Sequence, residues 1–421
     1  MDSPRAERIY ERQADLLVEI LRRVQATVSE GNPLDSYLSH FYHAHPEFGS
    51  RDRRLFSGTI FSYFRWKGWI DLAASTTEAA CVLAYLLESV DIHPAIKILA
   101  VRAGLPDIAL TPMGPLSPQG KATELDRITG ITYSTSQLVP AWIIPMLGPD
   151  SVRLLEAFQT PPQTWLRVNP PDRNSIIAAL QKQGIEPTSH PFVASALSVQ
   201  RGINLRALPR PIRDRLEIQD LASQATGLIC NPRPGERWWD ACCGSGGKTF
   251  HLAALGSPSV SLLATDIRPT ILNELTRRMG EKRVKGITTA LWDGAGQPPP
   301  EGAYDGILLD APCSGTGTWH RNPDSRWRTT HETVAKLIRL QSQLIRACAT
   351  RLKPNGTLIY ATCSVTHDEN ENIINQFLSD SPGFKLDPFI NPLTGNPCDG
   401  RLRINPWENP CNGMFIARLI G

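Results

Sequence analysis

Long apolar runs are missing from this 421-residue chain. No segment approaches the ~18 uncharged apolar residues of a membrane-spanning helix, so no membrane span is expected. The opening MDSPRAERIYERQADLL is charged and lacks the apolar centre of a secretion signal, which makes a soluble, cytoplasmic protein the expectation. Cysteine is sparse and odd in number, nine in all, with no Cys-x2-Cys pair and no His-x3-5-His beside any of them. That argues for reduced thiols against a disulfide framework, and against a zinc site; no metal is expected. An excess of one charge is lacking too. With 44 basic and 41 acidic residues the net charge is +3, so the whole-chain balance neither demands nor excludes a polyanionic partner. Nothing resembles a dimerisation helix, and a monomer is expected.

What is present falls into three parts. From Arg5 to Leu110 apolar residues recur at threes and fours, as in Leu16, Leu17, Ile20, Leu21 and Val24, and again in TEAACVLAYLLESV (Thr77 to Val90). This spacing predicts a helical bundle. Within it, RDRRLFSGTIFSYFRWKGWID interleaves Arg51, Arg53, Arg54, Arg65 and Lys67 with Phe56, Phe61, Tyr63, Phe64, Trp66 and Trp69. Aromatics at helical spacing are read as core, and these basic residues, together with Arg321, Arg326 and Arg328 further along the chain, as candidate phosphate contacts. The Pro- and Gly-rich ALTPMGPLSPQG (Ala109 to Gly120) marks a loop or boundary, followed by an expected helix near Ser134 to Leu147. Thr164 to Arg201 reads as strand, helix, then strand or loop. From Leu216 onward short apolar runs alternate with amphipathic helices, the pattern of a parallel sheet covered on both faces. The expected division is a helical domain over 1–150, a small α/β subdomain over 151–215 and a doubly wound, mostly parallel α/β domain over 216–421.

In that last part ERWWDACCGSGGKTFHLAAL reads as a strand ending at Asp240, a glycine-rich turn and a helix whose N-terminal amides are suited to a ligand. A P-loop is excluded because Gly-x4-Gly-Lys-Thr is not met around Lys248, and the dinucleotide fingerprint because GSGGKT lacks its last glycine. SLLATDI places Asp266 at the next strand end, where an acidic residue meets a ribose diol in doubly wound folds. ITTALWDG and YDGILLDAP add Asp293 and Asp310. Four successive acidic strand ends fit nucleoside binding, and without the dinucleotide pattern methyl transfer is favoured over hydride transfer.

Two cysteines remain. DAPCSGTG places Cys313, and YATCS places Cys363, each after a short apolar run and each beside a small polar residue. The residues alone leave open a disulfide, a metal site, two core thiols, or one nucleophile and one helper. Cys348, by contrast, falls on the apolar stripe of a helix and reads as core.

These motifs, with RNPDSRWR, the ENEN after YATCS, DACCGSGGKT, QDLASQATG and LRVNPP, resemble the RNA 5-methylcytosine methyltransferases of the RsmB/Sun/Nop2 type over most of the chain. RDRRL in the helical part is similar to the NusB-like domain of the RsmB branch. The resemblance implies a Rossmann-like class I methyltransferase domain and S-adenosylmethionine as methyl donor. It also implies RNA as partner, ribosomal before transfer RNA. It maps the nucleophile onto Cys363, and onto Cys313 the thiol that assists adduct breakdown. Asp310 is expected to hydrogen-bond the cytosine edge and Lys248 to bring positive charge near the base or a thiolate. Cys242, Cys243, Gly244, Ser245, Gly246, Gly247 and Lys248, with Asp266, Asp293 and Asp310, are expected to line the donor pocket. The chain departs from the family pattern at Ser245, where a proline is usual, and in NPWENPCNGMFIARLI near the end. The first departure is expected to loosen the turn. Rival readings are a transfer-RNA target, a non-catalytic RNA-binding assembly factor, and a DNA cytosine methyltransferase, against which the second cysteine argues.

Overall fold

The computed structural model describes residues 4–105, 110–169, 173–200, 203–294 and 296–421. Ala109, Pro170, Pro171 and Arg201, named in the motifs above, lie outside these. The chain forms two compact units: residues up to Pro161 together with Thr318–His331, and Pro162–Gly317 together with Glu332–Gly421.

The first unit is helical: α1 (Pro4–Ser29), α2 (Leu34–Ala44), α3 (Ser50–Ala73), α4 (Thr77–Glu88), α5 (Pro94–Arg102), α6 (Pro118–Thr129) and α7 (Ser151–Ala157). The apolar stripe of α1 is buried at Leu17, Ile20, Leu21 and Val24, as its spacing requires. Side-chain caps set the starts of two helices: Thr76 accepts from the Ala79 amide at α4, and Ser117 from Gly120 at α6. Gly130, in the left-handed region at φ 70°, ends α6. Phe56, Tyr63, Phe64, Trp66 and Trp69 of α3 are core, and truncating either tryptophan would cost about 3–5 kcal/mol. The helix expected near Ser134–Leu147 is instead two 3-10 turns, Thr135–Leu138 and Ala141–Met146. Pro140 and Pro145 cannot donate the α-helical hydrogen bonds.

The RNPDSRWR segment packs into this helical unit, where its charged residues serve as internal anchors. Arg326 is fully buried and donates to the carbonyls of Arg65, Leu138 and Trp319 at 3.1–3.4 Å. Arg65 is 1% exposed, paired with Glu88 and bonded to the His320 carbonyl at 3.1 Å. Trp327 donates to the Phe64 carbonyl at 2.8 Å, and Asp324 accepts from the Leu34 amide at 3.2 Å. This corrects the reading of Arg65 and Arg326 as phosphate contacts: buried guanidinium groups held by backbone carbonyls and, at Arg65, by Glu88 are not available to RNA. Arg53 is also engaged, by the Phe48 carbonyl at 2.9 Å, and Lys67 and Arg328 pair with Asp71 and Asp324. Arg51 and Arg54 are exposed.

The second unit holds two sheets. β1 (Thr164–Val168), α8 (Arg173–Gln181), β2 (Thr188–Ser189), β3 (Ala196–Val199), α9 (Arg210–Arg213) and β4 (Leu216–Ile218) build an antiparallel sheet in the order β2-β3-β1-β4. Then follow α10 (Leu221–Cys230), β5 (Arg237–Asp240), α11 (Gly247–Leu255), β6 (Ser261–Asp266), α12 (Pro269–Lys282), β7 (Ile287–Leu291) and β8 (Tyr304–Asp310). After α13 (Ser325–Arg328) come α14 (His331–Ala349), β9 (Leu352–Thr362), α15 (Glu371–Asp380), β10 (Lys385–Leu386), the hairpin β11 (Phe389–Ile390) and β12 (Pro397–Cys398), β13 (Arg401–Ile404) and β14 (Met414–Ile420). The large sheet runs β10-β14-β9-β8-β5-β6-β7, with β13 on β14. Strands β5 to β9 pair in parallel, and β14 lies antiparallel to β9. The order reverses at β5, so the chain leaves opposite edges of that strand toward β6 and β8, and a ligand crevice opens at the carboxyl ends there. Close packing fixes this centre. A Cβ at Gly306 would lie 2.2 Å from the Trp238 ring, so only glycine lets that ring seat against β8.

Candidate active site

Every residue predicted to act lies at the carboxyl end of one of five adjacent parallel strands. Asp293 follows β7, Asp266 ends β6, Asp240 and the glycine loop follow β5, Asp310 and Cys313 end and follow β8, and Cys363 follows β9. The sheet register therefore does the assembling: residues spread from 240 to 363 meet along one edge.

The loop after β5 closes as a turn, with the Gly246 amide donating to the Cys243 carbonyl at 2.9 Å and Arg278 to the Ser245 carbonyl. It closes without the proline that Ser245 replaces. Gly244 and Gly246 have φ of 50° and 83°, and a Cβ at Gly246 would meet the Leu275 side chain at 2.3 Å. Around Gly244 and Gly247 no atom presses on the Cβ position, which leaves the edge open for a ligand. Cys243 is buried and Cys242 half-buried, and burial pushes both thiols up.

The acids differ in what they hold. Asp240 is fully buried, accepts from the Thr249 hydroxyl at 2.6 Å and is pushed up to about 7 by desolvation, which outweighs that hydrogen bond. Asp266 accepts from the Gly244 amide at 3.0 Å and from the Arg268 amide and guanidinium at 2.9–3.0 Å. Burial opposes its charge, but these donors hold it below the usual carboxylate range. Asp293 caps its own loop through the amides of Gly296 and Gln297, at 3.0 and 2.9 Å.

The two half-buried sulfurs of Cys313 and Cys363 lie 3.3 Å apart. Beside them Lys248 donates to Asp310 at 2.7 Å. Burial works against the lysine charge, yet Asp310, then Cys363 and Asp240, hold it above the ordinary lysine value. The hydrogen bond that the Cys313 S–H donates to Cys363, then burial, then the charges of Cys363 and Glu369 push the Cys313 thiol well up. The pair is thus asymmetric: Cys363 faces a cation, while Cys313 faces a carboxylate.

That carboxylate, Glu369, was quoted within a motif but given no role by sequence reasoning. It accepts from the Ser314 amide at 2.8 Å and Gln341 at 3.0 Å through Oε1, and from the hydroxyls of Ser314, Ser364 and Thr366 at 2.5–3.0 Å through Oε2. The loops that carry the sulfurs are also zipped directly. Gly317 donates to the Cys363 carbonyl at 2.8 Å, Gly413 to the Gly317 carbonyl at 2.9 Å, and Val365 to the Thr316 hydroxyl at 2.9 Å. Cys348 is core, as its stripe predicts. Among the described residues no cluster of His, Cys, Asp and Glu is arranged to hold a metal, and no helix is long and apolar enough to cross a membrane.

Sequence reasoning also missed a charged groove of about 1110 Å³ in the same unit, lined in part by Arg210, Arg213, Arg277, Arg278, Lys282 and Arg283 together with Asp214, Glu217 and Glu281. Its residues are spread from α9 to α12, so no single stretch of sequence displays it.

Residues 227–420 match a family model described as 16S rRNA methyltransferase RsmB/F, and residues 140–206 match an RsmF/B-like ferredoxin-like domain. Ribosomal RNA small subunit methyltransferase B of Salmonella typhi is 33% identical over 293 residues, covering 67% of this chain and 66% of that protein. The protein of the same name from Klebsiella pneumoniae subsp. pneumoniae is 33% identical over 298 residues, 68% of this chain and 67% of that one. The chain thus spans about two thirds of the length of these curated relatives. Among solved structures, PH0851 superposes with a TM-score of 0.74 at 22% identity, over 100% of this chain and 99% of that one, which is a likeness of fold. The family model and these relatives together establish that the chain belongs to the RsmB/F methyltransferase family.

Proposed function

We propose that this protein is an S-adenosylmethionine-dependent RNA methyltransferase that methylates carbon 5 of a cytosine in small-subunit ribosomal RNA. Cys363 is its nucleophile and Cys313 its release thiol. The observation that carries this reading is the 3.3 Å approach of two reduced sulfurs at the ends of adjacent parallel strands, beside a Lys248–Asp310 pair.

The residues fit the methyl donor. The left-handed glycine turn and the uncrowded Cβ positions at Gly244 and Gly247 let a ligand reach the backbone at the switch point, and Asp266 and Asp293 offer carboxylates along the same edge. When bound there, the donor supplies an electrophilic methyl group. Cytosine carbon 5 is a weak nucleophile, so the Cys363 thiolate first bonds to carbon 6, with ring nitrogen 3 protonated and hydrogen-bonded by Asp310. The resulting enamine takes the methyl at carbon 5. Loss of the carbon 5 proton to solvent then restores the carbon 5–carbon 6 double bond as the electron pair of the carbon 6–sulfur bond returns to Cys363, and nitrogen 3 gives back to solvent the proton it took up on addition. At 3.3 Å, the Cys313 S–H donates a hydrogen bond to that departing thiolate. Lys248, held by Asp310, places its positive charge beside Cys363.

The target base must leave its stack to reach these sulfurs. The charged groove, in which Asp214, Glu281 and Glu217 pair with Arg213, Arg277, Arg278 and Lys282, offers further phosphate contacts through Arg210 and Arg283. The test is to incubate Cys363→Ala and Cys313→Ala proteins with small-subunit ribosomal RNA and radiolabelled donor. Cys363→Ala is expected to lose both 5-methylcytosine and any denaturant-stable RNA adduct, and Cys313→Ala to accumulate the adduct. Loss of the adduct in Cys313→Ala, with its retention in Cys363→Ala, would reverse the roles.

A further inference from the structure

We propose that Glu369 is a positioning residue that ties the Cys313 loop to the Cys363 loop and, through its charge, keeps the proton on Cys313. The proposal deepens the reading of the two thiols given above and rests on it.

The geometry is specific. Glu369 lies just before α15, is 0% exposed and receives five hydrogen bonds from three segments. Ser314 follows Cys313 and contributes two donors; Ser364 follows Cys363 and contributes one; Thr366 and Gln341 supply the rest. Among the described residues no Lys, Arg or His forms an ion pair with this carboxylate. A buried charge without a counter-ion is costly unless donors satisfy it, and here the donors come from the residues next to the two sulfurs. The carboxylate therefore cannot be satisfied unless both loops are in place.

The charge has a second effect. The groups facing Cys313 are Cys363 from the end of β9, Glu369 ahead of α15, and Tyr360 of β9, whose hydroxyl donates to the Glu369 carbonyl at 2.6 Å. None is cationic. The cation of the site, Lys248, is held by Asp310 and interacts with Cys363. Glu369 on one side and Lys248 on the other thus make the two chemically identical thiols unequal, with the carboxylate opposing loss of the Cys313 proton. A Cys313 that kept its proton is what the departing Cys363 sulfur needs as a donor.

Glu369→Gln isolates the charge. The Gln oxygen can take the Oε1 place, accepting from the Ser314 amide and Gln341, and its NH2 can face three hydroxyls that are free to rotate and accept. In a Cys363→Ser background, alkylation of Cys313 by iodoacetamide is followed against pH by peptide mass spectrometry. Neither RNA nor methyl donor is needed, so the result stands whether or not the protein methylates cytosine. Glu369→Gln is expected to move the Cys313 profile about one pH unit down, which is roughly tenfold faster alkylation at a fixed pH below it. Ser364→Ala, which removes one donor and leaves the charge less neutralised, is expected to move the profile in the opposite direction, with alkylation slower by roughly threefold. It also serves if Glu369→Gln does not fold. An unmoved profile in Glu369→Gln, or a downward shift in Ser364→Ala, overturns the proposal.

Discussion

Replacing Asp310 by Asn tests how the carboxyl edge of the sheet holds the Lys248 cation. In the folded protein Lys248 and Asp310 meet at 2.7 Å with side chains 13% and 30% exposed. Breaking a fully buried ion pair by removing one partner costs about 3–5 kcal/mol; with Asp310 this exposed, solvent screening reduces the expectation to about 2 kcal/mol. The sign of the pH dependence follows from Lys248. Its folded value lies above the ordinary one, so its contribution to stability is fully present below about pH 10.4 and is lost only as pH rises through the folded value. In Asp310→Asn the largest supporting charge is gone and burial, which lowers the value, is left to act. The cost of holding an ammonium there is then greatest at low and neutral pH and shrinks as the solution approaches pH 10. Urea denaturation of both proteins at pH 6, 8 and 9.5 measures this directly. The difference is expected to be largest at pH 6 and to fall by pH 9.5. A difference below about 0.5 kcal/mol, or one that grows with pH, would refute the assignment of Lys248 as a buried cation held by Asp310.

Asp240 makes a second test. Its folded value of about 7 exceeds the unfolded value near 3.9, so the folded state binds the extra proton and stability declines as pH rises from about 4 to 7. Asp240→Asn keeps an acceptor for Thr249 and removes the titration; it is expected to flatten that decline and to be the more stable protein at pH 8 by a few kcal/mol at most, read from denaturation midpoints against pH. At Gly317 an added Cβ would fall 2.0 Å from the Gly413 carbonyl oxygen and 2.8 Å from that of Cys363, both backbone atoms. Gly317→Ala is therefore expected to cost about 1–3 kcal/mol and to slow adduct formation by Cys363 more than it weakens donor binding. Calorimetry and adduct trapping separate the two, and an unchanged adduct rate would count against the zipped-loop description.

Much of the catalytic edge was legible because its signals are local. An apolar run ending in Asp says where a strand stops, and four such endings, with cysteines just beyond two of the runs, place these residues together once a doubly wound order is assumed. Glu369 escaped notice for the opposite reason: its meaning lies in donors from residues 314, 341, 364 and 366, which only the folded sheet brings together. The arginines show a different blindness. Arg51 and Arg65 carry the same charge in one helix, but one is exposed and the other is 1% exposed against Glu88. Nothing in charge or spacing distinguishes them, because burial of an arginine depends on which distant carbonyls complete it. The segment Ser134 to Leu147 reads as helix from its apolar residues, but Pro140 and Pro145 withhold the donors an α-helix needs, and it folds as 3-10 turns at Thr135–Leu138 and Ala141–Met146.

The anchoring of Thr318–His331 in the helical unit has a bearing on biosynthesis. The ribosome releases α1 to α7 well over a hundred residues before it releases Trp319 and Arg326, and domains generally condense in the order they emerge. Until that later segment arrives, the carbonyls of Arg65 and Leu138 wait without their guanidinium partner, and the nascent bundle carries an unfilled notch. A gene fragment beginning at residue 162 would have the reverse defect, displaying a large indole and a charged anchor with no surface to receive them, and such exposed patches invite aggregation. The two halves of this polypeptide are in this respect obliged to mature together.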